Sequence, residues 1–293
     1  MTRLLSIGEA MIELSEQNPL WAMNVAGDTL NTAWHFKALA GDRAEVAYLT
    51  CLGQDPFSNR IEAFINGAGI DTRFTRRDQT RGPGLYAISL DKGERSFTYW
   101  RDRSAAKLLA DDTDTLDQAL HWADQVYVSG ITLAILSPEA RARLLAAIAR
   151  ARGPGLRVIF DPNIRPRLWE DAATMRGCIT DAAAVSDVIL PSFEDEATHF
   201  GDTSLADCAR RYGADAGREV VVKNGGRDVL VALNGQLTEF PLDHVEPLDT
   251  TGAGDSFNAG WIFARLTSGD AAHCIGVAHR LASQVIQRPG ALG

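Results

Sequence analysis

The sequence predicts an α/β protein, with a doubly wound, mostly parallel sheet flanked by helices and a small β-sheet lid. Short β-branched runs alternate with segments of helical spacing through most of the 293 residues, which is typical of doubly wound sheets. One region breaks this alternation with two strands of alternating pattern joined by a short turn. That pattern is typical of an antiparallel hairpin outside the main sheet.

The core strands are predicted from apolar runs with no polar alternation, which indicate a sheet covered on both faces. These runs are residues 125–128, 158–160, 188–190 and 220–222. Between two of them, residues 138–151 carry apolar side chains at helical spacing. Ser137 supplies an N-cap and Pro138 the first helical position, so we expect a helix to begin there.

The predicted lid consists of a hairpin and a second segment that adds strands to it. Residues 84–90 and 95–100 form the two strands, and residues 91–94 have the chemistry of the turn. Residues 12–24 lack a helical pattern and are expected to add strands to the same layer. We therefore expect a single domain over residues 1–293, with the lid contributed by about 10–30 and 73–103.

Composition and charge argue against several classes of function. Hydrophobic residues make up 45% of the chain and charged residues 23%, as in globular proteins with a packed core. The formal net charge of −9 argues against a nucleic-acid partner, and no apolar run is long enough for a membrane span. The four cysteines are scattered and form no C-x-x-C pair, so we expect a reduced, cytoplasmic setting.

The most informative segment is residues 249–260, a turn of small residues that leads into an apolar helical run. Free amides at a helix start, together with the macrodipole, favour phosphate oxygens, and the glycines Gly252 and Gly254 let them approach. Asp255 follows directly. A carboxylate beside a phosphate site could accept a proton from an alcohol, or it could simply cap the helix.

Residues 249–262 closely resemble the C-terminal signature of the PfkB (ribokinase-like) carbohydrate kinases, and only Trp261 departs from it. Residues 26–33 resemble the glycine-rich sugar segment of the same family. Residues 161–165 and 223–225 each follow a strand in the order that the family shows. The resemblance therefore implies a ribokinase-like fold and an ATP-dependent kinase that uses Mg²⁺.

The resemblance also assigns roles to residues. It implies that Asp255 is the catalytic base, that the amides of Gly252, Ala253 and Gly254 form the anion hole, and that Arg165 acts at the phosphates. The implied sugar contacts are Gly27, Asp28, Thr29, Leu30, Asn31, Tyr86, Tyr99, Arg101, Arg165 and Asp255. The implied nucleotide contacts are Asn163, Arg165, Lys223, Asn224, Gly225, Gly226, Arg227, Asp228, Gly252, Ala253, Gly254 and Asp255.

The family's magnesium motif is altered in this chain. Many members carry Asn-x-x-Glu, and the corresponding residues here are Ser192 to Asp195. The sequence therefore leaves the metal ligands open, with Asp195 or Glu196 as candidates for an outer shell.

Within the family, residues 26–33, 96–101 and 282–287 are most similar to kinases of 2-keto-3-deoxygluconate, which implies phosphorylation of that sugar acid at C6. Arg101 beside Tyr99 could pair with the substrate carboxylate, and Tyr86 on the partner strand could reach it. The two tyrosines could instead serve lid packing or a subunit contact, Arg165 could be a surface ion-pair partner, and Arg101 could be solvated. Asp28 and Asn31 could likewise be a turn and a helix cap at the start of a helix expected over Asn31 to Ala40.

Alternative functions remain at this point. Another sugar, such as a ketose, ribose or a nucleoside, could be the substrate, or the protein could be a sugar sensor without activity. A dinucleotide-dependent dehydrogenase is disfavoured because no G-x-G-x-x-G follows the first strand. The aromatic hairpin would leave an exposed edge, so we expect a homo-oligomer formed through the lid.

Overall fold

An eight-stranded sheet forms the centre of the computed structural model, which describes residues 1–17, 20–91, 94–216 and 218–292. The described strands are β1 (Thr2–Ile7), β2 (Met11–Gln17), β3 (Leu20–Ala26), β4 (Ala44–Leu49), β5 (Cys51–Leu52), β6 (Arg76–Arg77), β7 (Gly84–Asp91), β8 (Glu94–Trp100), β9 (Gln125–Ser129), β10 (Arg157–Asp161), β11 (Val188–Ile189), β12 (Glu219–Lys223), β13 (Asp228–Leu233) and β14 (Gln236–Pro241). The described α-helices are α1 (Asp28–Ala40), α2 (Pro56–Gly67), α3 (Thr113–Trp122), α4 (Gly130–Ile135), α5 (Pro138–Ala151), α6 (Ala172–Ala184), α7 (Phe193–Phe200), α8 (Leu205–Arg211), α9 (Ala253–Arg265) and α10 (Ala271–Val285).

The strand order in the large sheet is β14-β13-β12-β11-β10-β9-β1-β4. Neighbours are parallel from β4 to β12, and β13 runs antiparallel to both β12 and β14. The predicted mostly parallel sheet is therefore confirmed. Its carboxyl ends share one edge, which is where open α/β sheets bind ligands.

The central strands are buried on both faces, as their apolar runs predict. Val126, Tyr127 and Val128 in β9 are at most 1% exposed, and the three valines of β12 are fully buried. Alternate side chains of each strand enter the hydrophobic layers on opposite faces of the sheet. The strand predicted over 188–190 is shorter in the structure and ends at Ile189.

Helix starts follow their capping chemistry. Helix α5 spans the predicted residues, with the Ser137 hydroxyl accepting from the Ala140 amide at 3.2 Å and proline at the first position. Helix α1 begins at Asp28, three residues before its expected start at Asn31, and its N-cap is Gly27. Asp28 and Asn31 therefore belong to the first helical turns, and neither is the cap.

A four-stranded small sheet, made of β2, β3, β7 and β8, has the order β3-β2-β7-β8. The β7–β8 pair is antiparallel, as predicted, and the segment at 12–24 supplies β2 and β3. Lys92 and Gly93 of the predicted turn lie outside the described residues. Phe97, Tyr99 and Trp100 in β8 are exposed, at 45%, 52% and 59%.

The four cysteines are free thiols, and all except Cys178 are buried. In the part of the chain that the structure describes, every helix is too short or too polar to cross a bilayer.

Candidate active site

The candidate site lies where the carboxyl ends of parallel strands meet the start of α9. Asp161 ends β10, Lys223 ends β12, and Gly8 and Glu9 follow β1. Because these ends share one edge of the sheet, side chains far apart in sequence converge there.

The turn before α9, residues 249–252, is fixed from two sides. The buried Asp249 carboxylate accepts from the Thr251 amide at 3.0 Å and from the Gly290 amide at 2.6 Å. Gly252 has φ = 77°, and a Cβ there would lie 2.8 Å from the Cα of Ala291. Only glycine therefore fits this turn without strain.

The amides at the start of α9 have the environment expected of an anion site. Gly252 is the N-cap without a side-chain cap, and Gly254 is exposed. The first amides of a helix lack intrahelical acceptors, and the macrodipole adds positive potential there. The Ala253 amide donates to the Thr250 carbonyl at 3.2 Å, so this third predicted donor is shared with the turn.

Asp255 points across the cleft towards α1. Its Oδ2 accepts from the Asn31 side chain at 2.8 Å. Burial first, and then the charge of Asp28, raise the pKa of Asp255 to about 8, while the Asn31 hydrogen bond and the Lys223 charge act in the opposite direction. A carboxylate in this state is basic enough to accept a proton near neutral pH.

Two further carboxylates surround the cleft. Asn163 donates to Asp28 at 3.0 Å. Burial, together with the charge of Asp161, raises the pKa of Asp28, while a hydrogen bond from Ser129 opposes this. The three aspartates 28, 161 and 255 thus crowd negative charge into one site, which favours a bound cation or a proton.

Lys223 partly compensates that charge. Its ammonium group donates to Asp161 at 3.1 Å and to the Asn258 side chain at 3.0 Å. Asn258, which is fully buried in α9, also donates to Asp161 at 2.5 Å and to the Tyr127 hydroxyl at 3.0 Å. This network, which sequence reasoning missed, ties the helix of Asp255 to the sheet.

Arg165 and Asp195 form the outer rim of the site. The Arg165 guanidinium is exposed and lies 3.6 Å from the Asp195 carboxylate. Burial raises the pKa of Asp195, and the charge of Arg165 counteracts it. Glu196 is excluded as an outer-shell ligand because it is fully buried and accepts from Arg211 and Tyr212.

The described residues hold no cluster of three or more His, Cys, Asp or Glu that could bind a metal ion by itself. Mg²⁺ usually keeps several waters and takes only one or two carboxylates plus phosphate oxygens. The partly exposed carboxylate of Asp195 fits that requirement, whereas both oxygens of the buried Asp161 already accept hydrogen bonds, from the Asn163 amide and from Lys223 and Asn258.

The predicted nucleotide segment, residues 223–228, is the turn between β12 and β13. Gly225 and Gly226 have φ of 57° and 81°, and the Arg227 amide donates to the Asn224 carbonyl at 3.1 Å. Gly225, Gly226 and Arg227 are exposed at the rim, and Asn224 and Asp228 are partly buried. Within this segment, Lys223 is the residue that reaches the carboxylates.

The predicted sugar segment, residues 27–31, divides between site and core. Asp28 and Asn31 face the cleft. The side chains of Thr29 and Leu30 are fully buried, with the Thr29 hydroxyl 2.8 Å from that of Tyr48. Both residues are 0% exposed, and the Thr29 carbonyl accepts from the Ser6 hydroxyl at 2.9 Å, so the structure places them in the core and not in the cleft.

Tyr86 and Tyr99 are register partners in the small sheet, with ring centroids 5.6 Å apart. Tyr86 is buried, and its hydroxyl donates to the buried carboxylate of Glu13 on β2. Tyr99 is half-exposed. Glu13 was missed by sequence reasoning, and its register opposite Tyr86 comes from a parallel pairing of distant segments.

Arg101, directly after β8, is 9% exposed and forms an ion pair with Glu9, which is 2% exposed. Its guanidinium carbon lies 5.9 Å from the ring centroid of Tyr99. The sequence considered Arg101 as a free partner for a substrate carboxylate or as a solvated group, and the structure instead gives it a buried partner. Glu9 was also missed, although its position after β1 was a usable signal.

Trp261 is explained by its surroundings. The side chain is buried, and its indole N–H donates to Glu219 at 2.9 Å. Glu219 also accepts from Arg157 and Arg265, so the tryptophan belongs to a polar cluster at the opposite end of α9 from Asp255.

The chain is similar to known proteins along nearly its whole length. The model of the pfkB family of carbohydrate kinases matches residues 1–293. A 2-dehydro-3-deoxygluconokinase of Dickeya dadantii is 40% identical over 294 residues, which cover 98% of this chain and 95% of the relative. A fructokinase of Klebsiella pneumoniae is 31% identical over 272 residues, covering 92% and 84%. The crystal structure of a PfkB protein from Polaromonas sp. JS666 matches with a TM-score of 0.84 at 26% identity, covering 99% and 98%.

Proposed function

Because this chain belongs to the pfkB family of carbohydrate kinases, we propose that it phosphorylates 2-keto-3-deoxygluconate (2-dehydro-3-deoxygluconate). It is an ATP-dependent sugar kinase, and the γ-phosphoryl group would pass to the C6 hydroxyl to give 2-keto-3-deoxy-6-phosphogluconate. The substrate is supported by the Dickeya dadantii kinase, which is 40% identical over nearly the full length. The observation that carries the chemistry is Asp255, a carboxylate of raised pKa in the first turn of the helix that follows the glycine turn.

Asp255 would accept the proton of the C6 hydroxyl as the phosphoryl group arrives. The amides of Gly252, Ala253 and Gly254 would stabilise the charge on the transferring group. In a loose transition state most of the rate comes from positioning and electrostatics, so fixed amides suit this role. Asn31 would hold the Asp255 carboxylate in place by the 2.8 Å hydrogen bond.

The sugar acid would lie between α1 and the small sheet. Asp28 and Asn31 would contact its hydroxyls, while Tyr86, Tyr99, Arg101 and Arg165 would surround its carboxylate. Arg165 is exposed and its partner is 3.6 Å away, so its charge is available to an anion. Arg101 would donate hydrogen bonds to the carboxylate, although Glu9 already balances the positive charge of its guanidinium.

The triphosphate would run from the glycine turn towards Asn163, Arg165 and Lys223. Residues Asn224 to Asp228 would line the ribose and adenine, since the exposed glycines of this turn leave its backbone accessible. Asp195 would contribute to the outer shell of a Mg²⁺ ion, which when bound would neutralise charge on the β and γ oxygens.

The proposal also covers the role of the small sheet, the oligomeric state and the cellular location. The small sheet would act as a lid over the sugar, within a single domain. Its exposed aromatic strand would pair with a second copy of the chain, which would cover Phe97 and Trp100. A cytoplasmic location also stays a prediction, supported by the free thiols.

A kinase for a neutral sugar is the second candidate, favoured by the 31% identity to a fructokinase. A coupled ADP-release assay over 2-keto-3-deoxygluconate, its galactonate epimer, fructose, ribose and a nucleoside tests the choice directly. We expect the highest kcat/KM for the sugar acids. Turnover confined to neutral sugars would refute the proposed substrate, and calorimetric sugar binding without ADP release would indicate a sensor.

Arg101→Ala tests the carboxylate contact. We expect it to raise the KM for the sugar acid far more than the KM for ATP, because the guanidinium would face only the sugar. An equal rise of both constants would contradict the contact.

A further inference from the structure

Glu9 lies at the meeting point of three segments of the candidate sugar pocket. Its backbone carbonyl lies only 2.2 Å from where a Cβ of Gly27 would stand. Its side chain lies 2.6 Å from the equivalent point on Gly84 and pairs with Arg101. One buried residue after β1 therefore contacts the start of α1, strand β7 and the end of β8.

The Glu9–Arg101 pair is incompletely satisfied. Both side chains are more than nine-tenths buried. Among the described residues, neither the second carboxylate oxygen of Glu9 nor the Nε of Arg101 has a hydrogen-bond partner. Buried polar atoms normally find partners, so a donor and an acceptor left unused together point to a ligand that completes them.

The charges of the pair also matter for an anionic substrate. The Arg101 guanidinium carries one positive charge, and the Glu9 carboxylate cancels it locally. A sugar-acid carboxylate approaching Arg101 therefore meets a nearly neutral pair, and its binding depends on donor geometry. If Arg101 were absent, the same substrate would meet an unpaired buried carboxylate of like charge.

We propose that Glu9 is a positioning residue that aims Arg101 at the substrate and sets the preference of the pocket for a carboxylate. This inference rests on the proposed function, since it assumes an anionic sugar. Glu9 acts through Arg101, so its contribution must depend on whether Arg101 is present.

The test is a double-mutant cycle on the KM for the sugar acid. Glu9→Ala should raise this KM about tenfold, because Arg101 loses a charge-assisted hydrogen bond that holds it. Glu9→Gln should raise it by less than about threefold, since the amide oxygen can still accept from the guanidinium but the hydrogen bond is no longer charge-assisted on both sides. The KM for ATP should stay within about twofold in both variants.

In the Arg101→Ala background, the effect of Glu9→Gln on the KM for the sugar acid should have the opposite sign. There Glu9→Gln removes the unpaired carboxylate, so it should lower the KM for the sugar acid by about threefold or more relative to Arg101→Ala alone. An effect of Glu9→Gln that is equal in both backgrounds, or harmful in both, would overturn the inference. A purely structural role would alter stability without this reversal.

Glu170→Gln is the matched control. It removes a carboxylate 3.1 Å from another buried arginine, Arg141, which keeps backbone acceptors at Leu133 and Leu136. We expect no change in the KM for the sugar acid in either background. A change like that of Glu9→Gln would mean that any lost Glu–Arg pair perturbs the pocket, and would overturn the specific role.

The wild-type substrate panel separates this inference from the proposed function. A wild-type enzyme that phosphorylates only neutral sugars refutes both the proposed function and the specificity role. A wild-type enzyme that phosphorylates the sugar acid but shows no sign reversal refutes the role of Glu9 alone. Non-additive losses in melting temperature for Glu9→Ala and Arg101→Ala should be seen in either case, because the ion pair does not need substrate.

Discussion

The proposed phosphate side and the proposed sugar side of the cleft are built in different ways. The phosphate side is a short turn and the first residues of α9, held by Asp249 and by the close approach of Ala291. The sugar side includes Tyr86 and Arg101, each held by a buried glutamate that lies more than 70 residues earlier in the chain.

This difference teaches which part of a site a sequence can reveal. Backbone amides and a neighbouring acid occupy consecutive positions, so their chemistry can be recognised as a motif. Pairs such as Glu9 with Arg101 exist only after strands have found their partners. The following variants test whether the two sides really differ, beginning with the largest expected effect.

Asp255→Asn should lower kcat by about 10²- to 10⁴-fold while the binding of sugar and ATP persists, because the amide cannot accept the hydroxyl proton. Steady-state kinetics and calorimetric titration measure the two properties. Retention of full kcat would remove Asp255 from the mechanism.

Melting temperature is the folding control for this variant. Burial raises the pKa of Asp255, so the folded protein holds a proton that the unfolded chain releases. The contribution of Asp255 should therefore lower the stability of the wild type as pH rises from about 4 to about 8. The asparagine of the variant does not titrate, so the variant should lack this contribution. At pH 8 the variant should melt no lower than the wild type.

Gly252→Ala should lower kcat by about tenfold or more and also lower the melting temperature. The new methyl group meets Ala291, and the left-handed φ of 77° is strained for alanine by about 1–2 kcal/mol. Gly201→Ala is the matched control, because Gly201 has φ = 79° but open space around it. It should lose similar stability from strain and keep its kinetic constants, whereas equal kinetic losses in both would contradict a special role for the turn.

The pH profile tests the charge on the phosphate side. Since Asp255 must be ionised, kcat/KM should rise with pH up to about 8. Lys223 lowers the pKa of Asp255, so Lys223→Met should move the rising limb to higher pH. Lys37→Met, at a lysine that contacts the carbonyls of Gly41 and Ala44, should leave the limb in place. If Lys223→Met moved the rising limb to lower pH, the inferred lowering of the pKa of Asp255 by Lys223 would be contradicted.

On the sugar side, Tyr86→Phe should raise the KM for the sugar acid several-fold and reduce stability by about 1–3 kcal/mol, because it leaves the buried Glu13 carboxylate without its phenol donor. Tyr99→Phe should raise the same KM with little loss of stability, since Tyr99 is half-exposed. Kinetics and urea unfolding together distinguish the pair. Equal stability losses would show that the support from β2 is unimportant.

The smallest kinetic effect is expected at the far end of α9. Trp261→Phe removes one hydrogen bond to Glu219, which keeps Arg157 and Arg265 as donors, so we expect a loss of about 1–2 kcal/mol. Kinetic constants should not change. A fall in kcat would mean that a change in packing at this end of the helix alters the position of Asp255.

Much of the fold could be predicted from local patterns. The apolar runs of β9 and β12 and the cap at Ser137 depend on neighbours in sequence, and these elements lie where expected. The start of α1 was misplaced because Gly27 caps the helix without a side chain, so the signal usually read from polar caps was missing.

The site was predictable to the extent that its residues were consecutive. Asp255 and the glycine turn could be located, and their roles stay proposals. The burial of Thr29 and Leu30 could not be read from their motif, because it depends on packing against Tyr48 and the core. The network of Asn258, Asp161 and Lys223 joins three elements that only the sheet order brings together.

The contact between Gly252 and Ala291 also restricts how this protein can evolve. The two positions are far apart in sequence but compete for one small volume, so a larger residue at either would displace the glycine turn. Natural variation at position 291 should therefore be confined to small side chains, and mutational libraries aimed at new substrates should leave both positions untouched.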